Sequence, residues 1–152
     1  MRGISLGFVV AALAGVSLAC GSSSSSNPAP AAPATGFFIT IASLAYSPAN
    51  LHVPPGGTVT VINVDTTLHS VTSEATSGAF TKGSVGGVQF DTGAFTGTAS
   101  FTIPANAANG TVIPFYCTVH LAMMIPQNGT ITVDTSAQPT GAPVAPAGPT
   151  GY

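Results

Sequence analysis

Residues Gly110–Met124 read GTVIPFYCTVHLAMM, a β-rich run that ends on a cysteine and is followed at once by a histidine and two methionines. Successive side chains on a strand point to opposite faces, so Ile113, Phe115 and Cys117 share one side. That alternation aims the Cys117 thiol inward at the strand's end, with His120 three residues further on. The chain holds only 2 Cys, 3 His and 3 Met, so this concentration is not a product of abundance.

Working outward, similar runs recur: FFITIASLAY (37–46), TVTVINV (58–64), HSVTS (69–73), TASFTI (98–103) and GTITV (129–133). Between them stand breakers at Ser47-Pro48, Pro54-Pro55-Gly56-Gly57, Thr92-Gly93, Pro104 and Asn128-Gly129. No segment there carries helical periodicity. The pattern predicts an all-β fold, an antiparallel Greek-key β-sandwich, with a long loop from Glu74 to Val88. Threonines suit the strand faces that meet water, where this chain uses hydroxyls in place of charge.

The ends differ in composition. Only 4% of the 152 residues are charged, against about a quarter in ordinary domains. The one long apolar run, Ile4–Leu18, is interrupted by Ser5, Gly7, Gly15 and Ser17 and is short for a membrane span. With Arg2 before it and Ser17-Leu18-Ala19 after it, residues 1–19 read as a signal peptide, which implies export to the cell envelope. Cys20 follows, in a setting that resembles the lipobox of bacterial lipoproteins; the leucine stands at Leu18, where the lipobox prefers it one place earlier, at the position of Ser17. Ordinary cleavage to a soluble product is the competing outcome. Residues 20–36 are expected to form a Ser/Pro/Ala-rich tether, 37–134 the folded domain, and 135–152 a disordered Pro/Ala/Gly-rich tail. A Cys20–Cys117 disulfide is the bland alternative for an exported chain. The position of Cys20 on a tether and the closeness of His120 to Cys117 argue against it.

Cysteine and histidine three apart at a strand end, with a thioether shortly after, place a soft thiolate, an imidazole and a weak ligand on one loop. A thiolate with two imidazoles and a distant sulfur suits copper in electron transfer. A second imidazole must come from His52 or His69. His69, in NVDTTLHSV, follows a strand and a polar turn and can lean over the end of a sandwich; His52 precedes a double proline on an expected edge segment and is set aside.

The stretches LHVPPGGTVTVINVDTTLHSV, FDTGAFTGTASFTIP and FYCTVHLAM together span most of Leu51–Met123. In them the chain resembles the cupredoxins, in particular the small plastocyanin, pseudoazurin and amicyanin branch. Asn63 and Asp65 precede His69 as an asparagine and an acidic residue precede the first ligand histidine of that family, and Cys117 and His120 stand where its cysteine and second histidine do. The resemblance implies one type 1 copper ion bound by His69, Cys117, His120 and an axial methionine. It also implies that Asn63 makes hydrogen bonds tying the two ligand loops together. Val119 stands where the family usually carries proline, and MIPQN intervenes before the last strand. The shorter family spacing selects Met123 as axial ligand; Met124 is the alternative, and the longer spacing lands on Ile125, which cannot ligate.

Each residue has a plainer reading: Cys117 as an inert core thiol, His69 as a turn residue, Met123 and Met124 as packing. All four in family order are harder to explain that way. Structural zinc wants four strong ligands, and this set offers three. The expected role is therefore a one-electron carrier and not an enzyme. Multicopper chemistry needs more histidines than three, and no Cys-x-x-Cys motif exists for haem or thiol exchange. Nucleic-acid binding is unsupported, since Lys82 is the sole basic side chain after the leader. Redox partners are expected to dock on the apolar collar of Leu121, Ala122, Met124, Ile125 and Pro126 around His120, with the protein a monomer held to a membrane through Cys20. A copper-delivery protein is the alternative, and a metal-free interaction module a third.

Overall fold

The computed structural model describes residues 35–143. The leader, Cys20 and the tether up to residue 34 lie outside the described residues, as do residues 144–152 of the expected tail. Among the described residues nine strands run in the order β1 (Thr35–Ala42), β2 (Ala45–Ser47), β3 (Asn50–Val53), β4 (Thr58–Asn63), β5 (Thr72–Ser73), β6 (Gly97–Thr102), β7 (Val112–Tyr116), β8 (Asn128–Val133) and β9 (Thr140–Gly141). A single 3-10 turn, Leu121–Met123, is the only helical element among the described residues. No helix there is long and apolar enough to cross a membrane.

One sheet has the order β2-β1-β4-β6, with β9 pairing the start of β1, and the other has the order β3-β8-β7-β5. The fold is all-β, as the alternation of short runs and breakers predicts. The sheets are mixed, which refines the antiparallel expectation: β1 pairs β4 in parallel, and β3 pairs β8 in parallel. Parallel neighbours need a crossover rather than a hairpin. The segment 43–57 provides one, carrying β2 beside β1 and β3 in the opposite sheet before the chain returns as β4. Thr140 and Gly141, within the segment expected to be tail, pair with Gly36 and Thr35.

Period-two patterning builds the core. On β4 the inward set is Val59, Val61 and Asn63, and on β8 it is Gly129, Ile131 and Val133. Ile39 and Ile41 of β1 and Ile113 and Phe115 of β7 meet them, all shielded from water. Burying an aliphatic or aromatic side chain of this size is worth about 1.5–3 kcal/mol, so this layer is the main source of stability. The Tyr46 ring meets Phe115 edge-on at 4.9 Å, and Phe90 stacks on Phe101 at 4.2 Å. Gly129 is required where β8 passes Phe115: a Cβ there would press into that ring and lie 2.6 Å from the Ala49 carbonyl oxygen.

Strand β7 is buried on both faces from Ile113 to Tyr116. Its outer side is covered by the long segment between β5 and β6, where Phe80 meets Tyr116 edge-on at 5.9 Å. Glu74, wholly buried, holds that segment by accepting from Gly78 N–H at 2.9 Å and Phe80 N–H at 2.8 Å, and from the Asn128 side-chain amide. The covering layer is thus fastened to β8, and β7 ends in a rigid setting.

Candidate metal centre

Two loops at one end of the sandwich carry the donors. The first leaves β4 at Asn63, whose buried side chain donates to the carbonyls of Thr67 and Phe95, both at 2.9 Å, and accepts the Asp65 N–H at 3.0 Å. His69 then exchanges both backbone hydrogen bonds with Phe95, at 3.1 and 2.8 Å. These bonds hold the histidine's backbone against the segment that enters β6.

The second loop leaves β7 at Cys117. Leu121 N–H donates back to the Cys117 carbonyl at 2.9 Å, and Met123 N–H donates to the His120 carbonyl at 2.6 Å, closing the 3-10 turn. Leu121 sits at φ 36°, a left-handed conformation that costs a side-chain-bearing residue about 1–2 kcal/mol. The turn accepts that cost while folding the chain tightly behind His120.

The loops bring three donor atoms together. Cys117 Sγ lies 3.7 Å from His69 Nδ1 and 3.8 Å from His120 Nδ1, and the two nitrogens are 3.2 Å apart. A point equidistant from all three is about 2.1 Å from each, close to the roughly 2.0–2.3 Å at which imidazole nitrogen and thiolate sulfur bind a first-row metal. Among the described residues this is the only group of three or more His, Cys, Asp or Glu side chains able to hold a metal ion. Cys117 and His69 are fully buried, and His120 is partly exposed. The donor set fits one copper ion, because a soft thiolate and two imidazoles in a dry site match that metal's preferences.

Neighbouring groups prepare each donor. His69 Nε2 lies 3.1 Å from Asp65 Oδ2 and 3.3 Å from Thr67 Oγ1. A carboxylate accepting the Nε2 proton leaves the Nδ1 lone pair facing the cluster. Burial, and then the nearby His120, hold His69 below the usual histidine range, so the ring is neutral and able to ligate at neutral pH. For Asp65, burial pulls the carboxyl upward, but the Leu44 and Ser43 amides and His69 outweigh it and hold it below the usual carboxylate range. Those amides donate at 3.1 and 2.7 Å from the turn between β1 and β2. One carboxylate therefore fastens both the ring and the turn.

At the thiol, Ser70 N–H points at Cys117 Sγ from 3.4 Å. The Ser70 hydroxyl accepts Thr118 N–H at 2.9 Å and lies 3.0 Å from Thr118 Oγ1, while the Ser70 carbonyl accepts the Tyr46 hydroxyl at 2.9 Å. Burial, with Cys117 adding to it, pushes the Tyr46 hydroxyl far up, so Tyr46 remains a donor throughout the ordinary pH range.

The remaining sequence candidates are placed as follows. Met124 is fully buried in the core, whereas Met123 is 62% exposed. Met123 lines a cavity of about 490 Å³ beside His120, together with Ser43, Leu44, Asp65, Thr66 and Thr67. His52, on β3, is apart from the cluster and pairs with Asp134 at 2.9 Å. Asn63 is bonded within its own side of the site, and the bonds that span the two ligand loops come from Ser70. Sequence reasoning did not find Ser70 or Tyr46, and it placed Asp65 only as part of a motif. The partners of Ser70 and Tyr46 across the site, and the turn amides that Asp65 accepts, lie 21 to 48 residues away, and no local pattern signals them; the Asp65–His69 pair is only four residues apart.

The fold and the donor set together define an all-β sandwich with a Cys-His-His metal centre at one end. No protein-family model matches the chain, and no curated protein matches it. Solved structures do: an oxidized amicyanin mutant shares 24% identity over 65% of this chain and 82% of its own, with a TM-score of 0.47. The reduced Cu(I) form at pH 4 of another amicyanin mutant matches with the same identity and coverage and a TM-score of 0.48.

Proposed function

We propose that the chain is a mononuclear blue copper protein that relays single electrons between redox partners. The observation that carries this reading is the triangle of Cys117 Sγ, His69 Nδ1 and His120 Nδ1, with edges of 3.2 to 3.8 Å. Copper bound there would supply a one-electron couple between cupric and cuprous states. The protein's own groups do the rest: Asp65 sets the His69 tautomer, Ser70 N–H offsets charge on the thiolate, and burial excludes water from both. Ligands anchored this firmly move little, which keeps the cost of reorganisation low. For the fourth, weaker ligand, burial favours Met124 over Met123, since a thioether completing a dry site must face inward.

The exposed large apolar side chains support partner docking at this end. Among the described residues all but Val112 lie on the two ligand-bearing loops: Val64, Leu68, Val119, Leu121, Met123 and Ile125. Transient electron-transfer contacts are small, below about 1,200 Å² in total. With so little charge nearby, the rate of electron exchange with a partner should change little with ionic strength. Export on residues 1–19 and a lipid anchor on Cys20 belong to the same proposal and rest on the sequence alone. A copper-delivery role is the second reading, favoured by the exposed Met123; complete burial of Cys117 and His69 opposes ready release.

The test is to add cupric ion to the purified protein and record its visible spectrum. An intense thiolate-to-copper charge-transfer band supports the relay. A colourless or faintly absorbing product points to delivery or to a metal-free module.

A further inference from the structure

Cys117, His69 and Met124 are closed to solvent, so of the groups around the centre only His120 can be met by an arriving ion. The cavity of about 490 Å³ opens on that residue. Its lining also includes Met123 and Asp65, which puts a thioether-bearing residue and an acidic one beside His120 at one opening. Methionine is among the residues most often buried, yet Met123 is 62% exposed beside a fully buried Met124. The 2.6 Å bond from Met123 N–H to the His120 carbonyl keeps the two residues together on one tight turn.

We propose that this cavity is the loading port of the centre, in which Met123 captures a cuprous ion and passes it to His120 and thence to Cys117 and His69. The inference rests on the copper reading above and adds a route to it. A thioether binds soft monovalent copper well and harder divalent ions poorly. Met123 should therefore matter for one kind of ion and not the other. Asp65, the only acidic side chain lining the cavity, draws in cations of either kind. The transfer is a ligand exchange with no change of oxidation state: each new bond from His120, Cys117 or His69 replaces one to Met123 or to the ion's previous carrier. The Cys117 proton leaves to solvent as its thiolate binds.

The experiment uses the full chain purified without metal and its Met123→Leu variant. Each is mixed rapidly with a coloured cuprous chelate and, separately, with cobaltous ion, and uptake is followed by fading of the chelate and by growth of the thiolate-to-cobalt band. The expected result is a several-fold slower uptake of cuprous ion by the variant. Its cobalt uptake, its stoichiometry and its visible spectrum after oxidation should match those of the unaltered protein. Equal cuprous rates would overturn the proposal. So would slowing of both ions alike, which would make Met123 a structural element of the turn, or an altered final spectrum, which would make it a resident ligand. If the unaltered chain takes up neither ion, the copper reading itself fails, and the port with it.

Discussion

The Ser70 hydroxyl accepts the Thr118 N–H at 2.9 Å, joining the loop that carries His69 to the loop that carries Cys117 and His120. The same hydroxyl lies 3.1 Å from Thr72 Oγ1, so it also ties both loops to the start of β5. In Ser70→Ala these partners lose their bonds while the backbone N–H toward Cys117 stays. The metal-free protein should lose about 1–2 kcal/mol, since a net hydrogen bond is worth about 1 kcal/mol and the Thr118 N–H is left without its acceptor. Copper affinity should fall about tenfold or more, as expected when groups that orient ligands are removed. Urea unfolding and competition with a chelator measure the two effects; unchanged affinity would show that the loops keep their spacing without Ser70.

Asp65 offers a second, independent test. Its side chain accepts from Ser43 N–H at 2.7 Å and Leu44 N–H at 3.1 Å while facing His69 Nε2 at 3.1 Å. Asp65→Ala frees the His69 ring to take either tautomer and leaves two turn amides to water. We expect copper affinity to drop about 10–100-fold and the charge-transfer band to shift. Asp65→Asn should fall between the two, because its amide can accept one of these bonds but presents a donor to the others. A variant with unaltered spectrum and affinity would show that packing alone holds the ring.

These two residues also mark where reading the sequence stops. Cys117 and His120 can be paired from sequence because three residues separate them on one loop at a strand end. His69 can be reached because only three histidines exist and His52 stands among prolines. The all-β class is legible in the alternation of runs such as TVTVINV with proline and glycine breakers. Parallel pairing of β1 with β4 is not, since it depends on where the segment 43–57 crosses between sheets, and that leaves no local mark. Short β3, only Asn50–Val53 and flanked by prolines, gives too little alternation to separate from a turn. Ser70 and Tyr46 act through partners distant in sequence, as do the Ser43 and Leu44 amides that hold Asp65 beside His69, and Met123 and Met124 differ only in burial, which spacing alone does not decide.

Glu74 provides a prediction away from the metal centre. Its carboxylate is fully buried and accepts from Gly78 N–H, Phe80 N–H and the Asn128 amide. Glu74→Gln keeps the shape but turns an amide donor toward one of these donors, so one bond is lost and two donors confront each other. The cost should be about 2–3 kcal/mol, typical of a buried hydrogen bond to a charged group. Urea unfolding would measure it, and faster hydrogen exchange at Gly78 and Phe80 would locate it. Unchanged exchange at both amides would show that the segment over β7 is held by the Phe80–Tyr116 contact instead.

The acid limb of stability should be set in part by Asp134, far from the donors. The Ser136 hydroxyl donates to it at 2.6 Å, the Ser136 N–H at 2.9 Å, and His52 Nδ1 faces its other oxygen at 2.9 Å. In that order these groups hold its carboxyl down, from an ordinary 3.8 to about 2. A carboxyl depressed on folding binds its proton less tightly in the native state than in the unfolded one, so acid favours unfolding. Its contribution is fully present above pH 3.8 and is lost as the pH falls toward about 2. Asp65 and Asp91 are depressed as well and steepen the same limb, so the comparison must be with a variant rather than with zero slope. Asp134→Asn cannot titrate, and between pH 4 and pH 2 the metal-free variant should lose stability less steeply than the unaltered protein, as read from urea midpoints at each pH. Parallel curves would mean that Asp134 is held no differently in the folded chain than in the unfolded one.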